Sequence, residues 1–141
     1  MSYANIKTAL GEILEELVGV GQPFQVLYKN FEAEITEFPA LLYRSIDSDG
    51  EKRFDSESNE AYMRFLIRAV LRYENSEAAE DTLLGILDDV ADKLRETDNR
   101  DTLAGAVHRL DVEGWRRWES EDSTQPVYGF DIVVNLAKLE P

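Results

Sequence analysis

Histidine and cysteine, two side chains that often carry out enzyme chemistry, are rare or absent in this sequence. His108 is the only histidine among 141 residues, and no cysteine is present. A Ser-His-Asp arrangement would have to use His108, and no G-x-S-x-G turn or comparable nucleophile context accompanies it. The lack of cysteine excludes disulfides, thiolate metal sites and cysteine nucleophiles. We therefore predict that the protein is not an enzyme and carries no cofactor.

One acidic segment resembles the beginning of a calcium-binding loop, which needs acids at its first and last ligand positions. The sequence D-S-D-G starts at Asp47. With Gly50 at the sixth position of such a loop, Asp47 and Asp49 fall on ligand positions. Ser45 and Ser56 then occupy the first and twelfth positions, so both ends of the pattern are lost. We predict no metal site here.

Tryptophan and arginine form the pattern that stands out most from this acidic background. Trp115 and Trp118 enclose Arg116 and Arg117 in the segment V-E-G-W-R-R-W-E-S. In a strand the two tryptophans fall on opposite faces, so one should help to close the core while the other is exposed. Tryptophan and arginine are enriched at protein interfaces, which makes these four residues interface candidates. The alternative is that both rings pack within the domain or stack on the arginines.

A second row of arginines lies on one predicted strand. Apolar residues alternate strictly over residues 62 to 73, which places Arg64, Arg68 and Arg72 together on the opposite face. These arginines either form the solvated face of the strand or contact the acids of a neighbouring copy. We predict acid-to-arginine contacts between like subunits.

The elements that position these side chains follow from the apolar periodicity. Helical spacing predicts an amphipathic helix over residues 3 to 18 and a main helix over 77 to 96. Strands are predicted over 24 to 29, 39 to 46, 62 to 73, 109 to 119 and 127 to 139, and the last two should form an antiparallel hairpin. Residues 30 to 38 are open between a short strand and an irregular excursion. This order predicts one α+β domain, residues 1 to 141, with a mainly antiparallel sheet and both helices on one face.

The segment over residues 47 to 60 has too few apolar side chains to fold on its own. It contains six acids and a single large apolar residue. We predict a long mobile acidic loop, with the following candidate residues: Asp47, Asp49, Glu51, Arg53, Phe54, Asp55 and Glu57.

The overall charge limits the partners. The chain has 29 acidic against 15 basic residues, a formal net charge of −14. Nucleic acids and anionic lipids are bound by neutralising phosphates with Lys and Arg, so this charge disfavours specific DNA or RNA binding. The apolar stretches are also far short of a membrane span, so no membrane partner is expected.

Nearly the whole chain resembles the tail terminator proteins of long-tailed bacteriophages and related archaeal viruses. The features that carry the resemblance are loose sequence motifs in a fixed order. They are the N-terminal helix, the strand F-P-A-L-L-Y-R from Phe38 to Arg44, the acidic loop, the alternating strand at 62 to 73, the helix after N-S-E, and the hairpin containing W-R-R-W and V-Y-G-F-D-I-V-V-N-L.

The resemblance implies a structural virion protein at the head-tail junction, assembled in the host cytoplasm. Such a protein forms a homohexameric ring that caps the tail tube, ends tube polymerisation and attaches the connector or stopper protein of the neck. DNA passes through the lumen without being specifically bound. The family also implies that the loop before the long strand is mobile and becomes ordered on assembly, and it provides no catalytic residues.

Two other interpretations stay open. The chain could be another neck protein, that is, an adaptor, a stopper or a minor tail completion protein, although adaptors are mainly helical. It could instead be a small acidic ligand-binding or regulatory domain, in which Tyr28, Tyr43 and Tyr62 would line a pocket on the sheet.

Overall fold

The computed structural model describes residues 3–31, 34–47, 60–72, 76–98, 109–120 and 127–139. Two helices and five strands make up these parts of the chain. The elements are α1 (Tyr3–Glu15), β1 (Val26–Tyr28), β2 (Ala40–Asp47), β3 (Glu60–Arg72), α2 (Ser76–Asp98), β4 (Arg109–Glu119) and β5 (Val127–Leu139). The predicted α+β class, with an N-terminal helix and a second long helix, is confirmed.

The strands form a single five-stranded sheet in the order β1-β2-β3-β5-β4. β1 lies parallel to β2, and every other neighbouring pair is antiparallel, including the predicted β4-β5 hairpin. The two long strands β3 and β5 pair along their full length and lie at the centre of the sheet. The edges are therefore the short strand β1 on one side and β4 on the other.

Both helices pack on the same face of the sheet, here called the helix face. The apolar stripe of α2 is buried there, as its spacing predicts, and so is the alternating apolar set of β3. The shared core contains Leu83, Leu87, Val90 and Leu94 of α2, Leu10 and Leu14 of α1, and Phe65, Ile67, Phe130, Ile132 and Val134 of the sheet. α1 is held over β2 by Tyr43, whose hydroxyl donates a 3.1 Å hydrogen bond to the carbonyl of Lys7.

The opposite face, here called the open face, has a smaller apolar cluster. Ala40, Leu42 and Val70 are buried on this face. They are covered by side chains of the chain between β1 and β2, including Phe31, Ile35 and Phe38, and by Trp118. The segment that the sequence left ambiguous therefore crosses the open face, and its described residues contain no strand.

Two local predictions need correction, and the first concerns β1. Alternation in the predicted strand from 24 to 29 would place Phe24, Val26 and Tyr28 on one face, but β1 spans only Val26–Tyr28. Phe24 forms an isolated bridge with Val18 and is buried on the helix face, because the chain bends at Gln25, between Phe24 and β1.

The second correction concerns the acidic loop, which begins later and ends earlier than the composition predicts. Asp47 is the last residue of β2 and is paired with Arg64, and Glu60 is the first residue of β3. Strand pairing therefore extends past the last apolar residues, since backbone hydrogen bonds do not depend on side-chain polarity. The candidate loop residues Asp49, Glu51, Arg53, Phe54, Asp55 and Glu57 lie outside the described residues.

Candidate interface at the edge of the sheet

β4 is a long edge strand. It spans 11 residues and pairs only with β5 among the strands that the structure describes. An edge of this kind presents backbone N–H and C=O groups that another strand can pair with. A bulge interrupts its pairing with β5, because Val112 is opposite Val134 and Gly114 is opposite Val133, which leaves Glu113 as the extra residue.

The helix-face side of β4 exposes two large apolar side chains. Trp115 is opposite the core residue Ile132, and yet 51% of its surface is exposed; for Val112 the exposed fraction is 43%. α2 stops short of covering them. Leu84, on α2, is also partly exposed.

An ion pair joins β4 to α2 close to Trp115. Arg117 is opposite Phe130 and reaches Glu80 of α2 at 3.5 Å, and it also lies 3.8 Å from Glu119. Leu84 is one helical turn beyond Glu80, and Trp115 is two residues before Arg117 on the same face of the strand. Trp115 and Val112 lie on the same face of β4, and we call these two residues the edge patch.

The second tryptophan has a different environment, as the alternation predicts. Trp118 is opposite Gly129 on the open face, where it is partly buried against the small apolar cluster. A side chain at Gly129 would collide with the carbonyl oxygen of Ala69, and its Cβ would be 3.2 Å from the ring of Trp118. The glycine therefore makes the room in which Trp118 packs.

Arg68 is the centre of a polar and aromatic cluster on the open face. Its guanidinium donates to both carboxylate oxygens of Asp131, at 2.7 and 2.9 Å. The same group is 5.0 Å from the ring centroids of Phe31 and Trp118. The hydrogen bond to Asp131 raises the pKa of Arg68, against the opposing effect of burial. This arginine links β3, β5, β4 and the crossing segment.

The other arginines of the predicted row also have contacts within the chain. Arg64 donates to Glu113 at the bulge, at 2.8 Å, and Arg72 lies over Phe38 at 5.6 Å. Arg64, Arg68 and Arg72 do share one face, as predicted. Arg64 and Arg68 form ion pairs within the chain, with Glu113 and Asp131, and contacts of this row to a neighbouring copy stay a prediction.

Arg116 differs from these arginines. It is exposed on the open face, opposite Asp131, whose two oxygens are already bound to Arg68. No ion pair of Arg116 is formed with any residue in the described ranges. Of the residues in the W-R-R-W segment, Arg116 is therefore best placed to form an ion pair with an acidic side chain of another molecule.

The alternative pocket of three tyrosines is not assembled. Tyr43 is buried in the core on the helix face, whereas Tyr28 packs with the cluster on the open face. The side chain of Tyr62 and all of His108 lie outside the described residues. In the parts of the chain that are described, no three His, Asp or Glu side chains are grouped so as to hold a metal ion.

No helix among the described residues is long and apolar enough to cross a membrane. No protein-family model matches the chain, and no curated protein is significantly similar to it in sequence.

Three residues at or near the candidate interface, Asp131, Val112 and Leu84, are not singled out by the sequence patterns. Asp131 is the one acid in the apolar strand V-Y-G-F-D-I-V-V-N-L-A-K-L. Its position indicates that a basic side chain of a neighbouring strand lies beside it, and this side chain is Arg68. Val112 is an apolar residue of the kind that a pattern assigns to the core. Only the limited coverage of β4 by α2 exposes it, and this coverage is a property of packing. Leu84 lies beside the buried stripe of α2 and is not part of it.

Proposed function

We propose that the chain is a structural assembly subunit, namely a tail terminator that caps the tail tube of a long-tailed virus as a ring. The observation that carries the proposal is the 11-residue edge strand β4, which has unpaired backbone among the described strands and bears the edge patch. A monomer would leave Trp115 half exposed beside an open strand edge, and both features favour association with another chain.

The fold supports the same proposal. The α+β domain has the order of elements that the resemblance implies, and both helices occupy one face, so among the described strands the outer sides of β1 and β4 are left without a paired strand. Subunits that add to each other at sheet edges form a continuous wall, which suits a ring through which DNA passes.

In this role the partners are further copies of the chain, the tail tube protein below the ring and the connector or stopper protein above it. The acidic composition suits a surface past which DNA moves without binding, because a net charge of −14 per copy repels phosphates. The location of the protein would be the head-tail junction of the virion.

Disruption of the gene in its virus tests the function directly. We expect tails of abnormal length that fail to join filled heads, and a plasmid copy of the gene should restore both properties. Tail lengths and joined particles are counted by electron microscopy. Tails of normal length that join heads without the protein would refute the proposal.

A biochemical arm uses the purified chain and the tail tube protein encoded by the same genome. We expect a ring of several copies at one end of each tube, visible in negative stain, and tubes that no longer elongate when more tube protein is added. A chain that leaves tube growth unchanged would contradict a terminator role, whatever its own oligomeric state.

A further inference from the structure

The sheet has a second edge, at β1, whose surroundings differ from those of β4. β1 has only three residues, and within the described parts of the chain its outer side is unpaired. Leu27 packs towards the helix face, and Val26 and Tyr28 pack towards the open face. A strand added at this edge would have to match that alternation.

Acidic side chains flank β1 on both faces. On the helix face, Glu15 at the end of α1 lies 3.6 Å from Lys29, which directly follows β1. On the open face, Glu34 and Glu37 are exposed on the crossing segment, where the backbone N–H of Thr36 donates to the hydroxyl of Tyr28 at 3.4 Å. The region of β1 is therefore acidic on the open face, whereas Glu15 on the helix face is already paired with Lys29.

Two arginines of β4 project on opposite faces of the sheet, among the acids Asp111, Glu113 and Glu119 of the same strand. Arg117 projects on the helix face and Arg116 on the open face, as their partners Phe130 and Asp131 show. If the sheet continues from one copy into the next with the helices on the same side, Arg117 meets the face of Glu15, and Arg116 meets the face of Glu34 and Glu37. Opposite charges then face each other on the open face of the junction, while Arg117 and Glu15 on the helix face have the partners Glu80 and Lys29 within their own chains.

Strand direction is also compatible with this junction. β1 and β2 run in the same direction, and each of the three following steps, to β3, β5 and β4, reverses it. β4 and β1 therefore run in opposite directions, so a continuing sheet pairs them antiparallel, which is the more stable arrangement. On the helix face, Leu27 then has an apolar counterpart on β4, namely Trp115.

From this geometry we propose that β4 around Trp115–Arg117 pairs, head to tail, with β1 of a second copy of this chain. The contact brings Arg116 of one copy to Glu34 and Glu37 of the next. The inference rests on the proposed function, since it specifies the contact by which the ring would be built. It also uses the exposed Arg116, which has no ion pair to the described residues.

Charge reversal at Arg116 tests the contact. We expect the wild-type chain to form oligomers in native mass spectrometry and Arg116→Glu to be monomeric at the same concentration. Arg95→Glu is the matched control, because the side chain of Arg95 is 74% exposed on α2 and lies 3.4 Å from Asp92 of its own helix. The control makes the same change in net charge and should leave the oligomer intact.

A mixing experiment tests the head-to-tail polarity. Glu37→Arg alone should also be monomeric, because the arginine introduced at position 37 would repel Arg116 of the next copy. When the two defective chains are mixed, the glutamate introduced at position 116 of one chain can meet the arginine introduced at position 37 of the other. The unchanged Arg116 and Glu37 can meet at the alternate junctions. We therefore expect oligomers with equal numbers of the two chains, whereas a two-fold contact between two β4 strands would give no such rescue.

The outcomes separate the inference from the function. A wild-type chain that stays monomeric, alone and on tail tubes, overturns the proposed contact. A wild-type oligomer that Arg116→Glu leaves intact, or mixed chains that do not assemble, also overturns it, while normal capping of tubes would leave the terminator function standing. Circular dichroism of each variant checks that loss of assembly is not loss of folding.

Discussion

Breaking the Arg68–Asp131 pair should destabilise the fold more than breaking an exposed ion pair such as Arg64–Glu113. Arg68 and Asp131 are 63 positions apart, and they join β3 to β5 through two short hydrogen bonds. Asp131→Ala removes both bonds and leaves Arg68 between Phe31 and Trp118 without its counter-charge.

The expected loss is about 2 kcal/mol. Hydrogen bonds to charged groups contribute roughly 1.5–3 kcal/mol, whereas exposed ion pairs contribute roughly 0.2–1 kcal/mol. The Asp131 side chain is 14% exposed and that of Arg68 is 33% exposed, so solvent screens the pair only in part. For a domain of this size, such a loss lowers Tm by about 8 °C.

Urea unfolding followed by tryptophan fluorescence measures the loss, because the guanidinium of Arg68 lies over the ring of Trp118. Glu113→Ala is the matched control. It removes the partner of Arg64, which bonds through one carboxylate oxygen and is 40% exposed, so we expect a loss below about 1 kcal/mol.

A double-mutant cycle with Arg68→Met separates the pair from the packing of the arginine stem. We expect a coupling of about 1–3 kcal/mol between positions 68 and 131. A coupling near zero, or equal losses for Asp131→Ala and Glu113→Ala, would refute the idea that this pair holds the open face together.

Two further predictions concern side-chain space and titration. Gly129→Ala should lower the free energy of unfolding by roughly 3 kcal/mol or prevent folding, because the new Cβ would collide with the Ala69 carbonyl. Gly85→Ala should instead raise it by roughly 0.5–1 kcal/mol, since Gly85 is an exposed position of α2 where a Cβ would meet nothing within 4 Å. Urea unfolding of both variants checks these opposite signs. Burial raises the pKa of Tyr43 above its ordinary 10.0. The stability that the neutral hydroxyl contributes should therefore be complete below pH 10 and be lost as pH rises through the pKa of the folded protein. Tyr43→Phe should lose less stability between these pH values, and a variant that is as sensitive to alkali as the wild type would contradict this expectation.

The fold follows from local periodicity to a large extent. The alternating apolar set of β3 and the stripe of α2 each require burial on one side, and the packing of these two elements determines the helix face. The opposite orientations of Trp115 and Trp118 also follow from alternation. The strand pattern misplaces Phe24 because the chain bends at Gln25, between Phe24 and Val26, and a period-2 pattern contains no information about such a bend.

The candidate interface is less predictable, because it depends on distant partners. Nothing near Arg68 in the sequence indicates that Asp131 neutralises it or that Phe31 stacks against it. These contacts require the register between β3 and β5 and the path of the crossing segment. Arg116 and Arg117 look equivalent in the sequence, but α2 provides Glu80 for Arg117, and the described residues provide no ion pair for Arg116.

The bulge at Glu113 bears on the number of copies in an assembly. A contact that joins two different surfaces generates a closed ring if its rotation divides a full circle, and an endless helical filament if it does not. A bulge bends its strand and increases its right-handed twist, and this one lies two residues before Trp115. If copies meet along this edge, the extra residue contributes to the angle between neighbours, and deleting it would change the subunit count or turn rings into filaments.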